Sequence, residues 1–225
     1  MSEVILHLGL AKTGTTWFQQ RLFPQLDLLF HHVSHYDIIN KPIKGKTLFS
    51  FEGLSGTPYN NDRFVIADRL KALFPDAQVL VMFREKESYL QSLYSQYLRG
   101  GGTGSFCWFK EYLSHVDGFL DWENYKKHLI RLWDEKNCFF PLFEDFCHNP
   151  QVFTVKLCDW MHVPVPSDVD YSPVNKSLDQ VQRSRWPRIN TWFRSRWTPY
   201  ALLPRWCNPC CWWNQINKLQ GGRFV

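Results

Sequence analysis

An apolar run, Val4 to Leu8, stops at Gly9, crosses a short segment rich in glycine and threonine, and resumes as Trp17-Phe18-Gln19-Gln20-Arg21-Leu22-Phe23 before Pro24. The pattern reads as strand, loop and helix, with the proline ending the helix. A strand that feeds a helix through a tight loop must bury its apolar face under that helix. Repeats of such a unit build a parallel sheet covered by helices.

The rest of the chain continues the alternation. Thr47 to Phe51 reads as a second strand, and Arg63 to Phe74 as a helix closed by Pro75-Asp76. Gln78 to Phe83 is a continuous apolar run, the mark of a strand covered on both faces. Glu87 to Leu98 reads as a helix that Gly100-Gly101-Gly102 breaks, opening a mobile loop. Trp122 to Trp133 is a further helix. Cys138 to Phe143 is a strand candidate that Pro141 assigns to an edge or a strand end. Gln151 to Met161 is the last clear helix before Val163-Pro164-Val165-Pro166. The fold class expected is α/β, a P-loop-like three-layer fold with a mostly parallel central sheet flanked by helices. Ligands of such sheets bind beyond the carboxyl ends of the strands.

At 225 residues with 44% hydrophobic and 21% charged residues, the chain suits one globular domain. We expect that domain to span residues 1–180, with a basic, Trp- and Cys-rich segment, 181–225, packed on it. Residues 1–179 carry a net charge of −3 and residues 180–225 carry +8, the latter with no acidic residue. No apolar run is long enough to span a membrane, and Met1-Ser2-Glu3 lacks the basic flank of a signal peptide, so the default compartment is the cytoplasm. Of the seven cysteines, Cys107, Cys138, Cys147 and Cys158 sit among apolar residues and read as buried thiols, with no disulfide framework.

The segment Gly9-Leu10-Ala11-Lys12-Thr13-Gly14-Thr15-Thr16-Trp17 carries the chemistry. Free amides at the start of a helix, a lysine charge and threonine hydroxyls suit a bound anion. Gly9 and Gly14 have the Walker A spacing, but Thr15 stands where an NTPase has lysine; the only lysine, Lys12, lies inside the loop. A second feature follows the strand at 78–83. Arg84 ends it and Ser92 lies on the next helix, a forked donor and a hydroxyl suited to phosphate.

These two motifs, in this order, resemble the 5′-phosphosulfate loop and the 3′-phosphate motif of the sulfotransferases that use 3′-phosphoadenosine-5′-phosphosulfate (PAPS). Leu142-Phe143-Glu144-Asp145-Phe146 is similar to that family's aromatic-Glu-Asp turn, so the resemblance runs from about residue 4 to about residue 162. Val174-Asn175-Lys176-Ser177 is similar to a later segment, whereas the Gly-rich C-terminal phosphate loop of the soluble animal enzymes is not found. The resemblance implies that Ala11, Lys12, Thr13, Gly14, Thr15, Thr16 and Trp17 hold the donor, with Trp17 stacked on adenine. It implies that Arg84 and Ser92 hold the 3′-phosphate, and that transfer needs no metal. Glu52, at the end of the second strand, resembles the glutamate base of the bacterial and Golgi-type enzymes, where the soluble animal enzymes use histidine. The implied reaction moves a sulfuryl group from PAPS to an acceptor hydroxyl, or to an amine, giving PAP and the sulfated product.

Other readings stand beside this one. A P-loop kinase or NTPase would use ATP, and a non-catalytic protein would keep the nucleotide pocket without turnover. His7 lies within a strand, which suggests packing. His31, His32 and His35 have a possible metal spacing, as do Cys207, Cys210 and Cys211, but three clustered histidines in a loop are more often solvated and the cysteines lack a second pair. In the tail, Trp186, Ile189, Phe193 and Trp197 share one helical stripe among arginines, and Pro187 suits its start. That helix packs on the domain or lies on a membrane surface. Nucleic acid is not the expected partner, because no nucleic-acid motif accompanies the basic stretch. Segments 31–62 and 99–122 read as loops that shape the acceptor site, and their Tyr, Trp and His suit a sugar or a glycolipid headgroup.

Overall fold

The computed structural model describes residues 3–34, 37–56, 62–116, 118–174 and 177–208. His35, Cys210 and Cys211, of the two possible metal spacings, lie outside these, as do Asn175 and Lys176. The chain forms two compact units, one built from Met1–Lys86 and Val116–Pro173 and the other from Glu87–His115 and Val174–Val225.

The first unit is built on a five-stranded parallel sheet in the order β2-β3-β1-β4-β5, made of β1 (Glu3–Leu8), β2 (Leu29–His32), β3 (Lys46–Phe51), β4 (Gln78–Leu80) and β5 (Cys138–Phe139). The α/β class and the parallel sheet are as the sequence implies. β1 lies at the centre and pairs with β3 in a register running from Glu3↔Lys46 to Leu8↔Phe51. Ile5, Leu6 and Leu8 are fully buried, as are Leu48 and Phe49, since both faces of these central strands are covered. The apolar run at 78–83 is regular strand only to Leu80; beyond it, Val81 and Phe83 still donate N–H bonds to Phe139 and Pro141 carbonyls. β5 is an edge strand, which is where a following proline costs no ladder bond.

Two aromatic clusters cover the sheet elements. Helix α1 (Thr15–Trp17) runs into a π-helical turn, Phe18–Leu22, and then a 3-10 turn, Phe23–Gln25, that contains Pro24. Phe18 meets Phe146 of α6 (Phe143–His148) and Phe153 of α7 (Pro150–Met161). Elsewhere Phe64 of α2 (Arg63–Leu73) packs on Tyr125 of α5 (Trp122–Trp133). β2 was not legible in the sequence: Leu-Phe-His-His is a short edge strand without an alternating pattern.

The second unit holds most of α3 (Lys86–Arg99), then α4 (Phe106–Ser114) and α8 (Gln180–Asn190). Three expectations are corrected here. The triple glycine does not open a free loop: Gly100, Gly101 and Gly102 donate back to α3 carbonyls, and the Tyr97 hydroxyl accepts from both Thr103 and Gly104 amides. The loop expected over 99–122 contains α4, capped by Ser105. Pro187 does not start a helix but sits inside α8; the start is set by Asp179, which forms a capping box with Gln182. α8 ends at Asn190, so Phe193 and Trp197 lie beyond the stripe expected for them. The cysteine expectation also fails in part. Cys158 is buried, Cys138 is half-buried, and Cys107 and Cys147 are exposed on short helices.

Candidate active site

The site in the first unit starts at the carboxyl ends of β1, β3 and β4. β1 ends at Leu8, and the Gly9 amide donates to the Phe51 carbonyl at 3.2 Å, carrying the β1–β3 pairing one residue further. Ser55 Oγ donates to the Gly9 carbonyl at 2.9 Å. A side chain at Gly9 would meet Thr15 Cγ2 at 2.7 Å and the Glu52 backbone at 3.2 Å, so only glycine lets the loop turn this closely over the end of β3.

The loop then folds back on itself. Thr13 and Thr15 hydroxyls both donate to the Leu10 carbonyl, at 2.7 and 3.2 Å. Gly14 has φ 78° and precedes α1, and its carbonyl accepts from the Trp17 amide at 2.8 Å. A Cβ there would come within 3.0 Å of the Phe143 ring. Ala11 is buried, and Thr16 is half-buried. Trp17 is buried; its Nε1 donates to the Asp170 carbonyl at 3.1 Å, and its ring stacks on Tyr171 at 5.8 Å and meets Phe146 at 4.7 Å.

Lys12 is held in an uncommon conformation. Its φ is 66°, a left-handed value that costs a residue with a Cβ roughly 1–2 kcal/mol. Both ends of the residue are gripped. Arg84 Nη1 donates to its carbonyl at 2.7 Å, and the Glu52 carboxylate accepts from its N–H. Glu52 follows β3 directly and opens a 3-10 turn, Glu52–Ser55. The residue as a whole presents surface to solvent, yet its carboxyl is crowded. Burial raises the Glu52 pKa above the ordinary glutamate value, and the Lys12 ammonium and amide offset part of that rise. A lysine charge, a carboxylate of raised pKa and an arginine thus gather around one residue of the loop.

Arg84 is itself held from several sides. Its Nε lies 3.7 Å from Glu144 Oε1, its guanidinium lies over the Phe143 ring at 4.6 Å, and its carbonyl accepts from Trp122 Nε1 at 3.0 Å. Glu144 Oε2 also accepts from the Glu85 amide at 3.2 Å. Glu144 and Trp122 were not assigned roles from the sequence; the aromatic-Glu-Asp turn was recognised, but nothing in a linear pattern shows that it meets Arg84. Ser92 belongs to the second unit, where it is buried on α3 with Oγ 3.4 Å from Ser177 Oγ. His7 is buried in β1, with Nδ1 2.7 Å from Ser50 Oγ and its ring against Phe18 and Phe23. Burial lowers its pKa to about 3, so the ring stays neutral.

His31 Nε2 lies 3.0 Å from the Pro42 carbonyl, and its ring stacks on Phe49. Among the described residues there is no group of three His, Cys, Asp or Glu arranged to hold a metal ion. No helix of the described residues is long and apolar enough to cross a membrane.

No protein-family model matches the chain, and no curated protein sequence matches it. Its fold is similar to that of solved sulfotransferases. The crystal structure of a sulfotransferase from Alicyclobacillus acidocaldarius aligns with a TM-score of 0.57 at 17% identity, covering 82% of this chain and 90% of that one. The mouse sulfotransferase SULT7A1, solved in complex with PAP, aligns with a TM-score of 0.48 at 13% identity, covering 85% of this chain and 64% of that one. At these identities the likeness is one of fold.

Proposed function

We propose that the chain is a sulfotransferase that moves a sulfuryl group from PAPS to an acceptor hydroxyl. What supports this reading most is the grip on Lys12. The loop lysine, the carboxylate at the end of β3 and the arginine after β4 come from sequence positions far apart, yet they meet at a single residue. The sequence motifs assign those three residues to the donor's phosphosulfate, the acceptor proton and the 3′-phosphate.

In the proposed reaction the acceptor oxygen attacks sulfur as the bond from sulfur to the phosphate oxygen breaks. Glu52 takes the acceptor proton, and its raised pKa strengthens it as a base. Lys12 and the loop amides up to Thr16 face the negative charge that develops on the sulfuryl oxygens and the departing phosphate. Thr15 donates to Leu10, so its oxygen serves a ligand only after the hydroxyl turns; Thr16 has no such tie. Arg84 and, by motif, Ser92 take the 3′-phosphate. A base stacked on Trp17 would take the face that Tyr171 now covers. The reading leaves PAP and a sulfate ester as products, calls on no metal, and takes a sugar or a glycolipid headgroup as acceptor.

The test is sulfate transfer from labelled PAPS across carbohydrate, lipid and small-molecule acceptors. The wild-type chain should turn over, and Lys12→Ala should lose about 100-fold or more, as when one transition-state donor is removed, while its melting temperature holds. ATP-dependent turnover, or an unaffected Lys12→Ala variant, would overturn the assignment.

A further inference from the structure

A cavity of about 600 Å³ lies wholly within the second unit. That volume suits a ligand of mono- or disaccharide size. One wall is a single face of α8, carrying Gln180, Arg183 and Arg188 at helical spacing. The opposite wall is Gln91 and Tyr94 of α3, and Phe106 at the start of α4 lies beside them. No carboxylate lines it.

The walls are fixed in place. Asn190, buried at the end of α8, donates from Nδ2 to the Leu98 carbonyl at 2.8 Å and to the Gly102 carbonyl at 2.7 Å. Tyr94 Oη donates to the Gly104 carbonyl at 2.9 Å. α8 is therefore pinned to the end of α3 and to the glycine turn.

Its polar groups are unspent. Among the described residues the Arg183 and Arg188 guanidiniums have neither an ion pair nor a side-chain hydrogen bond, and the Gln91 and Gln180 amides have no partner. Guanidiniums are forks matched to carboxylate or sulfate. Carboxamides both donate and accept, as sugar hydroxyls require. The half-buried Phe106 ring, packed on the buried Tyr94, offers an apolar surface for the C–H side of a pyranose. A purely apolar ligand would strand the amides and guanidiniums without partners, and a cation would meet two like charges.

We propose that this cavity binds a saccharide bearing a carboxylate or sulfate, with Arg183 and Arg188 on the anionic group and the Phe106 ring under the sugar. Its assignment as a saccharide site does not rest on the sulfuryl transfer proposed above.

The experiment is calorimetric titration of the full chain with a hexuronic acid disaccharide, the corresponding neutral disaccharide and inorganic sulfate. The uronate should bind at least about tenfold more tightly than the neutral sugar, the margin of one charge-assisted hydrogen bond. An Arg183→Gln/Arg188→Gln variant should lose that margin while keeping its melting temperature. Phe106→Ala should weaken both sugars alike. Equal binding of the two sugars, binding of sulfate as tight as that of the uronate, or an indifferent arginine variant would each overturn the proposal. PAP titrated into the same proteins separates the two readings. Uronate binding without PAP binding removes the nucleotide assignment and leaves this one standing, and the converse removes only this one.

Discussion

Lys12 shows how much of a site's geometry rests on single side chains. A lysine with a left-handed backbone is held there by the Glu52 carboxylate at its amide and the Arg84 guanidinium at its carbonyl. Glu52 therefore has two tasks: it fixes the loop, and it stands as the proposed base. Replacing it with glutamine keeps an oxygen to accept the Lys12 amide but removes the base. Glu52→Gln should lower turnover by about 100-fold or more with PAP binding retained. In the wild type the acid limb of kcat/KM should lie above the ordinary glutamate pKa of 4.5, because the group must be deprotonated to act and burial holds its pKa up. A pH–rate profile measures this, and a limb at or below the ordinary value would count against Glu52 as the base. His7 makes a separate, structural prediction. Between about 6.5 and about 3 the unfolded chain protonates this histidine and the folded chain does not, so its contribution to stability is lost as pH falls through that window. Melting temperatures taken at pH 7 and pH 4 should fall less on acidification for His7→Leu than for the wild type; an equal fall would show that His7 does not carry the effect.

The elements show what a linear reading recovers and what it misses. β1, β3, α2, α5 and α7 were legible because each carries its full period of apolar residues, and the loop between β1 and α1 was legible because its residue types are rare in that arrangement. β2 escaped because four residues on a sheet edge bury too little to show a pattern. α4 escaped because the glycines before it suggest a loop, while Ser105, the residue that caps it, is a small signal. α8 was placed too late because a proline at a helix start is common, and Pro187 outweighed the Asp179–Gln182 pair that sets the start. The contacts around Arg84 were not legible at all, since Glu144 lies far along the chain and no local rule brings it there. Asn190 is a similar case, one buried amide that ties α8 to a carbonyl at the end of α3 and to one in the turn after it, and accepts from Asn208 Nδ2 at 3.1 Å. Asn190→Ala removes the amide donor to the Gly102 carbonyl and one of two donors to the Leu98 carbonyl, and should cost about 1–3 kcal/mol in a urea melt. A loss within a few tenths of a kcal/mol would show that water replaces the amide.

At the scale of the molecule the charge divides with the two compact units. The first, with 15 basic and 18 acidic residues, carries −3; the second, with 11 basic and 3 acidic, carries +8. The chain's modest total of +5 conceals this division. Isoelectric point alone would send the protein to a single kind of chromatography resin. Because its positive charge is gathered in one unit, it should stay on a sulfonated column at pH 8, near its isoelectric point of 8.8, and need far more salt to elute than a protein of equal pI with evenly spread charge. Elution in the void would mean that the arginines are masked. Heparin-like matrices, which present the same kind of dense negative charge, should hold the chain through the same unit.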